Sequence, residues 1–209
     1  FGASRVSAGT LQVDGTLALS PLAVGAGATL SGAGTAGPTD VESGGAVSPG
    51  PGIGTLTIAG NLGLSAGSIY RLDNGGGATD AIAATGVATI DGATLSLTQT
   101  GLYVPGAAAT ILSADGGVAG TFGQVVEDYA FLTPVLAYGP GAVTLGLSRN
   151  NVAFADIGET FNQRNAGAGL DSAPPANLAQ RAVLSGNADN ARAAFDQLSG
   201  EIHASMRST

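Results

Sequence analysis

The chain has no cysteine and no tryptophan, and its 209 residues include one methionine and one histidine. Without cysteine there is no disulfide framework and no thiolate to serve as nucleophile or metal ligand. Zero cysteine is compatible with any compartment, but it would suit a chain that must stay unfolded while it crosses an oxidising periplasm. A single histidine, His203, rules out a His-cluster metal site. Lys and Arg together number seven, scattered along a chain of net charge −8 and pI near 4.2. Nucleic acid is excluded as a partner, because phosphate contacts need clustered basic side chains. Charged residues make up only 11% of the chain, against about 25% in ordinary globular domains, so Thr, Ser, Asn, Gly and Ala must cover the surface. No apolar run approaches the roughly 18 residues of a membrane-spanning helix. The chain opens on Phe1 and its methionine is Met206, which leads us to expect a segment of a longer protein.

Glycine, by contrast, is abundant. Gly (35) and Pro (9) together stay below the roughly 25–30% that marks disordered chains. A hydrophobic fraction of 44% and a mean hydropathy of +0.30 argue for a buried interior. Up to about Arg149 one grammar recurs: a Gly turn, a small or β-branched residue, then an aliphatic, as in Gly15-Thr16-Leu17, Gly54-Thr55-Leu56 and Gly92-Ala93-Thr94-Leu95. The runs that follow alternate at period two (Leu56, Ile58; Leu95, Leu97; Val143, Leu145, Leu147), which predicts half-buried strands. No helix-period segment of ten or more residues precedes position 150.

Short strands between Gly turns fit a sandwich, a barrel or a parallel β-helix. The β-helix is favoured because related turn-strand units recur at uneven spacing, as stacked solenoid coils allow. It is also favoured because Phe1 to Ile69 carries only Arg5, Asp14, Asp40 and Glu42 as charges. In Ser48-Pro49-Gly50-Pro51-Gly52, Pro fixes φ and Gly supplies positive φ. Ser48 to Gly54 is therefore expected to be a tight corner that delivers Thr55–Ile58 into the next coil.

After Asn150 the composition turns rich in Ala, Gln, Asn and Arg and reads as helical. Pro174-Pro175 should start a segment Ala176 to Leu184 stopped at Gly186, and Asn187 should cap the next helix. There Ala188, Ala191, Phe195, Leu198 and Ile202 fall on one stripe, which Gly200 weakens.

Five blocks occur in order: "SPGPGIGTLTIAGNLGLSAGSIYRLD" (48–73), "TDAIAATGVATIDGATLSL" (79–97), "YVPGAAATILSADGGVAGTF" (103–122), "AFLTPVLAYGPGAVTLGLSRN" (130–150) and "AFDQLSGEIHAS" (194–205). Their succession resembles the C-terminal passenger region of type V autotransporters, the pertactin-like autochaperone segment upstream of the outer-membrane barrel. The resemblance covers about 46–205; the first 45 residues match only in repeat style. It implies an all-β, right-handed parallel β-helix stem over 1–150, with the autochaperone segment at about 48–150. An α-helical linker over 151–209 would then lead to a translocator barrel that this chain does not contain. The implied function is secretion and folding at the Gram-negative cell surface after export through the periplasm, with the passenger retained there or released, in a family tied to virulence and adhesion. The implied partners are that barrel, the outer-membrane assembly machinery and a host surface ligand. Two features depart from the family pattern. The loop Asn74-Gly75-Gly76-Gly77-Ala78 is unusually glycine-rich, and Gly167 and Gly169 argue against one continuous helix there.

Candidate chemistry is thin. Gly32-Ala33-Gly34-Thr35-Ala36-Gly37 matches the dinucleotide-binding G-x-G-x-x-G, but Pro38-Thr39-Asp40 follows where a helix should open, so a turn is expected. Gly75-Gly76-Gly77-Ala78-Thr79-Asp80 approaches a calcium-binding nonapeptide, but Ala78 breaks it and no second copy exists. His203 and Ser205 would point about 200° apart on a helix, which precludes a local nucleophile–base pair with Asp196 as third member. The carboxylate pairs Asp73 with Asp80, and Glu127 with Asp128, lack the basic or metal-binding cluster that β-helical polysaccharide enzymes add. No catalytic, cofactor-binding or metal-ligating residue is assigned, no cofactor is expected, and the chain is read as a non-enzyme. Tyr70, Tyr103, Phe122, Tyr129, Phe131 and Tyr138 crowd into 70–138 while Gly2 to Ile69 has no aromatic. A carbohydrate-stacking face is one reading; a heavier core in the last coils is preferred, since the aromatics sit among aliphatics. An adhesive β-helix binding host glycans or like chains is the alternative function, and a β-helical polysaccharide hydrolase or lyase is a third.

Overall fold

The computed structural model describes residues 2–174 and 177–200. They form two compact units. The strand unit takes the chain up to Thr100 together with Ala108–Glu127 and Val135–Gly146; the helical unit takes Gly101–Ala107, Asp128–Pro134 and the chain from Leu147 on.

In the strand unit the chain makes five passes of three strands each. The first is β1 (Ser4–Val6), β2 (Gly9–Gln12) and β3 (Thr16–Leu17), and the second β4 (Leu22–Val24), β5 (Ala28–Gly32) and β6 (Thr35–Ala36). The third is β7 (Thr39–Val41), β8 (Ala46–Pro49) and β9 (Thr55–Ile58), and the fourth β10 (Leu62–Leu64), β11 (Ile69–Asn74) and β12 (Ala81–Ala84). The fifth is β13 (Ala88–Asp91), β14 (Thr94–Gln99) and β15 (Ala108–Ala114). The strands β16 (Val118–Thr121), β17 (Gln124–Val126), β18 (Leu132–Tyr138) and β19 (Ala142–Arg149) follow.

Each sheet collects every third strand. One runs β1-β4-β7-β10-β13-β16, the second β2-β5-β8-β11-β14-β17, and the third β3-β6-β9-β12-β15 before ending in β19 and β18. All pairings among β1–β17 are parallel and in register, so one residue of each pass lies above its counterpart in the last. Val24, Val41, Leu64 and Ile90 form one such buried column. Leu11, Leu30, Val47, Tyr70, Leu95 and Val125 form another, in which Leu30 to Leu95 are wholly buried. The alternation predicted from sequence is thus the in–out alternation of real strands. Because Thr39 pairs with Leu62 but Ala88 pairs with Val118, the repeat lengthens along the chain and the spacing of the turns is uneven.

Of the corner predicted at Ser48–Gly54, Ser48 and Pro49 are the end of β8, and the turn to β9 is Gly50–Gly54, with Gly50 at φ 72° and Gly52 at φ 84°. It turns the chain from the second sheet to the third within one pass and leaves the stepping between passes to other turns.

In the helical unit α1 (Phe154–Ile157) is followed by α2 (Phe161–Asp171), α3 (Leu178–Leu184) and α4 (Ala188–Ser199). Thr160 and Gln163 form a reciprocal capping box for α2, and Asn177 and Asn187 cap α3 and α4 through their side chains. The start expected at Ala176 lies outside the described residues, and α3 ends on Ser185 just before Gly186. The expected break at Gly167 and Gly169 does not occur, since α2 runs unbroken through both. The reason is packing: a Cβ at Gly167 would stand 2.7 Å from the Ala155 nitrogen of α1, so glycine lets two backbones touch. That contact outweighs the roughly 1 kcal/mol that glycine costs inside a helix. The stripe on α4 is half realised. Ala191 and Phe195 are wholly buried, Leu198 is exposed, Gly200 at φ 76° closes the helix, and Ile202 lies outside the described residues.

Candidate functional site at the last strands of the stack

The third sheet changes character at β15. On one side β15 pairs in parallel with β12, Ile82 opposite Leu112 and Ala84 opposite Ala114. On the other it pairs antiparallel with β19, Thr110 opposite Thr144 and Leu112 opposite Val143. Ile111 falls between those two pairs as a bulge residue, which puts Ile111 and Leu112 both in the interior. Beyond β19 lies β18, reached through Gly139–Gly141, where the Gly139 N–H donates to the Ala142 carbonyl at 2.8 Å.

A bulge disrupts the ladder locally, and a buried hydrogen bond there helps to hold it. The Tyr70 hydroxyl donates to the Ile111 carbonyl at 2.7 Å, from a wholly buried position on β11. Burial, and then the charge of Asp80, hold the Tyr70 phenol protonated well above the usual tyrosine range. Its ring packs on Phe122 with centroids 6.2 Å apart, and the Phe122 N–H donates to the Tyr138 hydroxyl at 3.2 Å. A chain of contacts therefore ties β11, the turn before β17, β18 and the bulge of β15 together, from the buried Tyr70 out to Tyr138 at the surface.

Asp80 occupies a second node. It is 1% exposed, and its two oxygens accept from the Gly54 N–H at 2.9 Å and the Asp73 N–H at 2.9 Å. It thus joins the Pro/Gly corner to the loop closed by Asn74 and Thr79. Desolvation raises its pKa above the ordinary carboxylate value, against the two backbone hydrogen bonds that lower it. Its oxygens are spent on backbone nitrogens, an arrangement that fastens a loop and offers a cation little.

The other sequence candidates are dispersed. The G-x-G-x-x-G run spans the end of β5 and all of β6, and a Cβ on Gly32, Gly34 or Gly37 would overlap the Val13, Gly15 or Ser20 carbonyl of the pass below. These glycines admit a neighbouring backbone, and no helix opens there. Asp128 accepts from the Asn187 amide at 3.1 Å, and Asp196 from the Gln163 amide at 2.8 Å. His203 and Ser205 lie outside the described residues. Among the described residues no three His, Cys, Asp or Glu side chains gather closely enough to hold a metal ion. Of the six clustered aromatics, Tyr70 and Phe122 belong to the strand unit's core, whereas Tyr103, Tyr129 and Phe131 are buried in the helical unit. Only part of the set therefore serves the last passes, and Tyr138 is 40% exposed.

No family model matches the chain. Over an alignment of 176 residues that covers 78% of the chain, it is 31% identical to a protein of Serratia marcescens described as an extracellular serine protease. The chain spans 16% of that relative.

Proposed function

We propose that the chain is a non-enzymatic secretion and folding module: the passenger stem of an autotransporter. In this reading residues 1–150 are a right-handed parallel β-helix with the autochaperone segment at 48–150, and 151–209 are the linker to an outer-membrane barrel. The hand follows from the strong preference of parallel crossovers for right-handed connection. The observation that carries the reading is the antiparallel end of the third sheet, held by the buried Tyr70 and Phe122 and by the half-exposed Tyr138. A segment that covers the last parallel strand of a sheet with strands of its own can fold before its neighbours exist. It then offers each earlier pass a finished parallel edge, so the cost of ordering is met one pass at a time. If the C-terminal end leaves the cell first, folding there hinders backsliding and draws the rest outward. The outer-membrane assembly machinery and the barrel are the partners, and the Gram-negative surface is the destination. Similarity to a segment of an extracellular protease supports an exported protein. That protein's proteolysis is not carried over, because the matched segment is a sixth of it.

The test is surface display of the full-length protein. Phe122→Ala removes a side chain 9% exposed at the closing cluster, and Leu17→Ala removes one 37% exposed in the first pass. Display should fall for the former and persist for the latter. Equal display of both variants would contradict a folding role for the last passes.

A further inference from the structure

The first pass is the least buried of the five. No residue of β1, β2 or β3 is fully buried, and β3 is two residues long. Leu17 and Leu19, which close the pass, are exposed. Side-chain ties to the second pass are sparse: Ser4 Oγ and Ser20 Oγ share a hydrogen bond at 2.9 Å, and Asp14 Oδ1 accepts from the Ala33 N–H at 3.3 Å.

In a stack each layer normally meets only its neighbours. Arg5 reaches further. It stands on β1 opposite Ala23 of β4, which is in turn opposite Asp40 of β7. Its two terminal nitrogens donate to the two carboxylate oxygens of Glu42, just beyond β7, at 2.5 and 2.6 Å. The first pass is thus joined directly to the third. Gly25 of the second pass makes room for the reach, since a Cβ there would stand 2.9 Å from Arg5 Nη2. The backbone at Gly25 lies outside the left-handed region, so space and not φ asks for glycine. The hydrogen bond raises the pKa of Arg5 and lowers that of Glu42, so both are charged at neutral pH. Arg5 is also the only basic residue before Arg71. Arg71 spans a pass as well, from β11 to β5, but donates to a neutral acceptor, Thr29 Oγ1 at 3.2 Å.

We propose that the Arg5–Glu42 pair is an ionic clasp that seats the first pass, and that high salt or loss of either charge releases this pass alone. Release uncovers the parallel edges of β4, β5 and β6 while the rest of the stack stays folded. The inference stands apart from the secretion reading. It rests on a two-point guanidinium–carboxylate contact, which fixes one geometry, made by side chains about half exposed (52% and 44%) and therefore open to screening. Such pairs contribute little in most settings, but this one acts where burial is slight. The layer beneath is held differently: Val24, Leu30 and Ala36 are wholly buried.

The chain has no cysteine, so Val24→Cys in the 209-residue protein places one thiol beneath Val6. Its rate of alkylation by iodoacetamide, an uncharged reagent, reads how often the first pass opens. Ile90→Cys, in the same column at the fifth pass, reads opening deeper in the stack. Arg5→Gln and Glu42→Gln should each speed alkylation of Val24→Cys about threefold, the scale of an exposed pair. The two together should do no more than either alone. Raising sodium chloride from about 0.05 M to about 1 M should speed the reaction with the clasp intact and leave the Arg5→Gln variant unchanged. Ile90→Cys should be indifferent to all of these. Unchanged reactivity of Val24→Cys in both single variants, effects that add in the pair, or an equal rise at Ile90→Cys overturns the proposal.

Discussion

The Tyr70 hydroxyl and the Ile111 carbonyl meet at 2.7 Å in the interior of the strand unit. The tyrosine stands on a parallel strand, and the isoleucine is the residue the ladder skips where parallel pairing gives way to antiparallel. One hydroxyl therefore adds a buried hydrogen bond at the residue where the pairing changes direction.

Tyr70→Phe keeps the ring, its contact with Phe122 and nearly all the volume, but removes the buried hydrogen bond to the Ile111 carbonyl. A bond of this kind is worth about 0.5–1.5 kcal/mol net. Urea unfolding should show a lower midpoint with an unchanged slope. An unchanged midpoint would mean that this bond does not hold the bulge.

Two glycine substitutions should have opposite signs. A Cβ on Gly34 would overlap the Gly15 carbonyl, and backbone cannot rotate away, so Gly34→Ala should destabilise by about 1–3 kcal/mol, the range for overpacked sites. Gly169 lies inside α2 with nothing within 4 Å of an added Cβ. Gly169→Ala should therefore stabilise by about 0.5–1 kcal/mol through backbone entropy and helix propensity. Thermal unfolding of the two variants against the parent separates the effects.

How much of this was legible before the fold was known differs by element. Period-two alternation located strands such as Thr55–Ile58 and Thr94–Gln99, because each side chain turned inward meets the column of the pass below. The same alternation in Val143 and Leu145 says nothing of partner direction, since a parallel and an antiparallel neighbour bury the same face. The bulge did leave a trace. Ile111 and Leu112 are adjacent aliphatics, both buried, that break the alternation. Gly167 misled because propensity is local, whereas the approach of α1 that demands glycine comes from another element. Asp80 showed as a carboxylate in a glycine loop. That its oxygens face the amides of Gly54 and Asp73 depends on register between passes, which no local pattern encodes. The clustered aromatics looked like one group because they are neighbours along the chain, while the fold divides them between two interiors.

Asp80 should also leave a signature in the pH dependence of stability. Its pKa is raised on folding, so between the unfolded and folded values the native state holds a proton that the unfolded chain has lost. Stability contributed by this group is complete below the unfolded value and declines as pH rises through the folded one. Asp80→Asn gives up one of two acceptors, at about 1–3 kcal/mol, but is indifferent to pH. The penalty of the substitution should therefore shrink as pH rises from about 3 to 7, measured as the difference in urea midpoint. A penalty that grows over this range would reverse the assigned direction.

Native-state hydrogen exchange should be graded along the strand unit. The first pass has short strands and leaves Leu17 and Leu19 exposed, whereas the fourth and fifth bury Tyr70, Leu72, Ile82 and Ile90. Amides in 85–148 should exchange more slowly than those in 5–60, because local opening in a stacked repeat reflects the burial of each layer. Uniform protection would argue for a single cooperative block.

The reversal at β19 has a consequence for growth. In-register parallel passes are translational copies, and nothing in their geometry limits how many are added, as in a filament with two live ends. The pair β19 and β18 is no further copy of a pass, and it occupies the edge of β15 on which the next copy would stack. In the third sheet it acts as a chain terminator. Elongation there is left with one direction, toward β3 and lower residue numbers, and the polarity of assembly is written into those two strands.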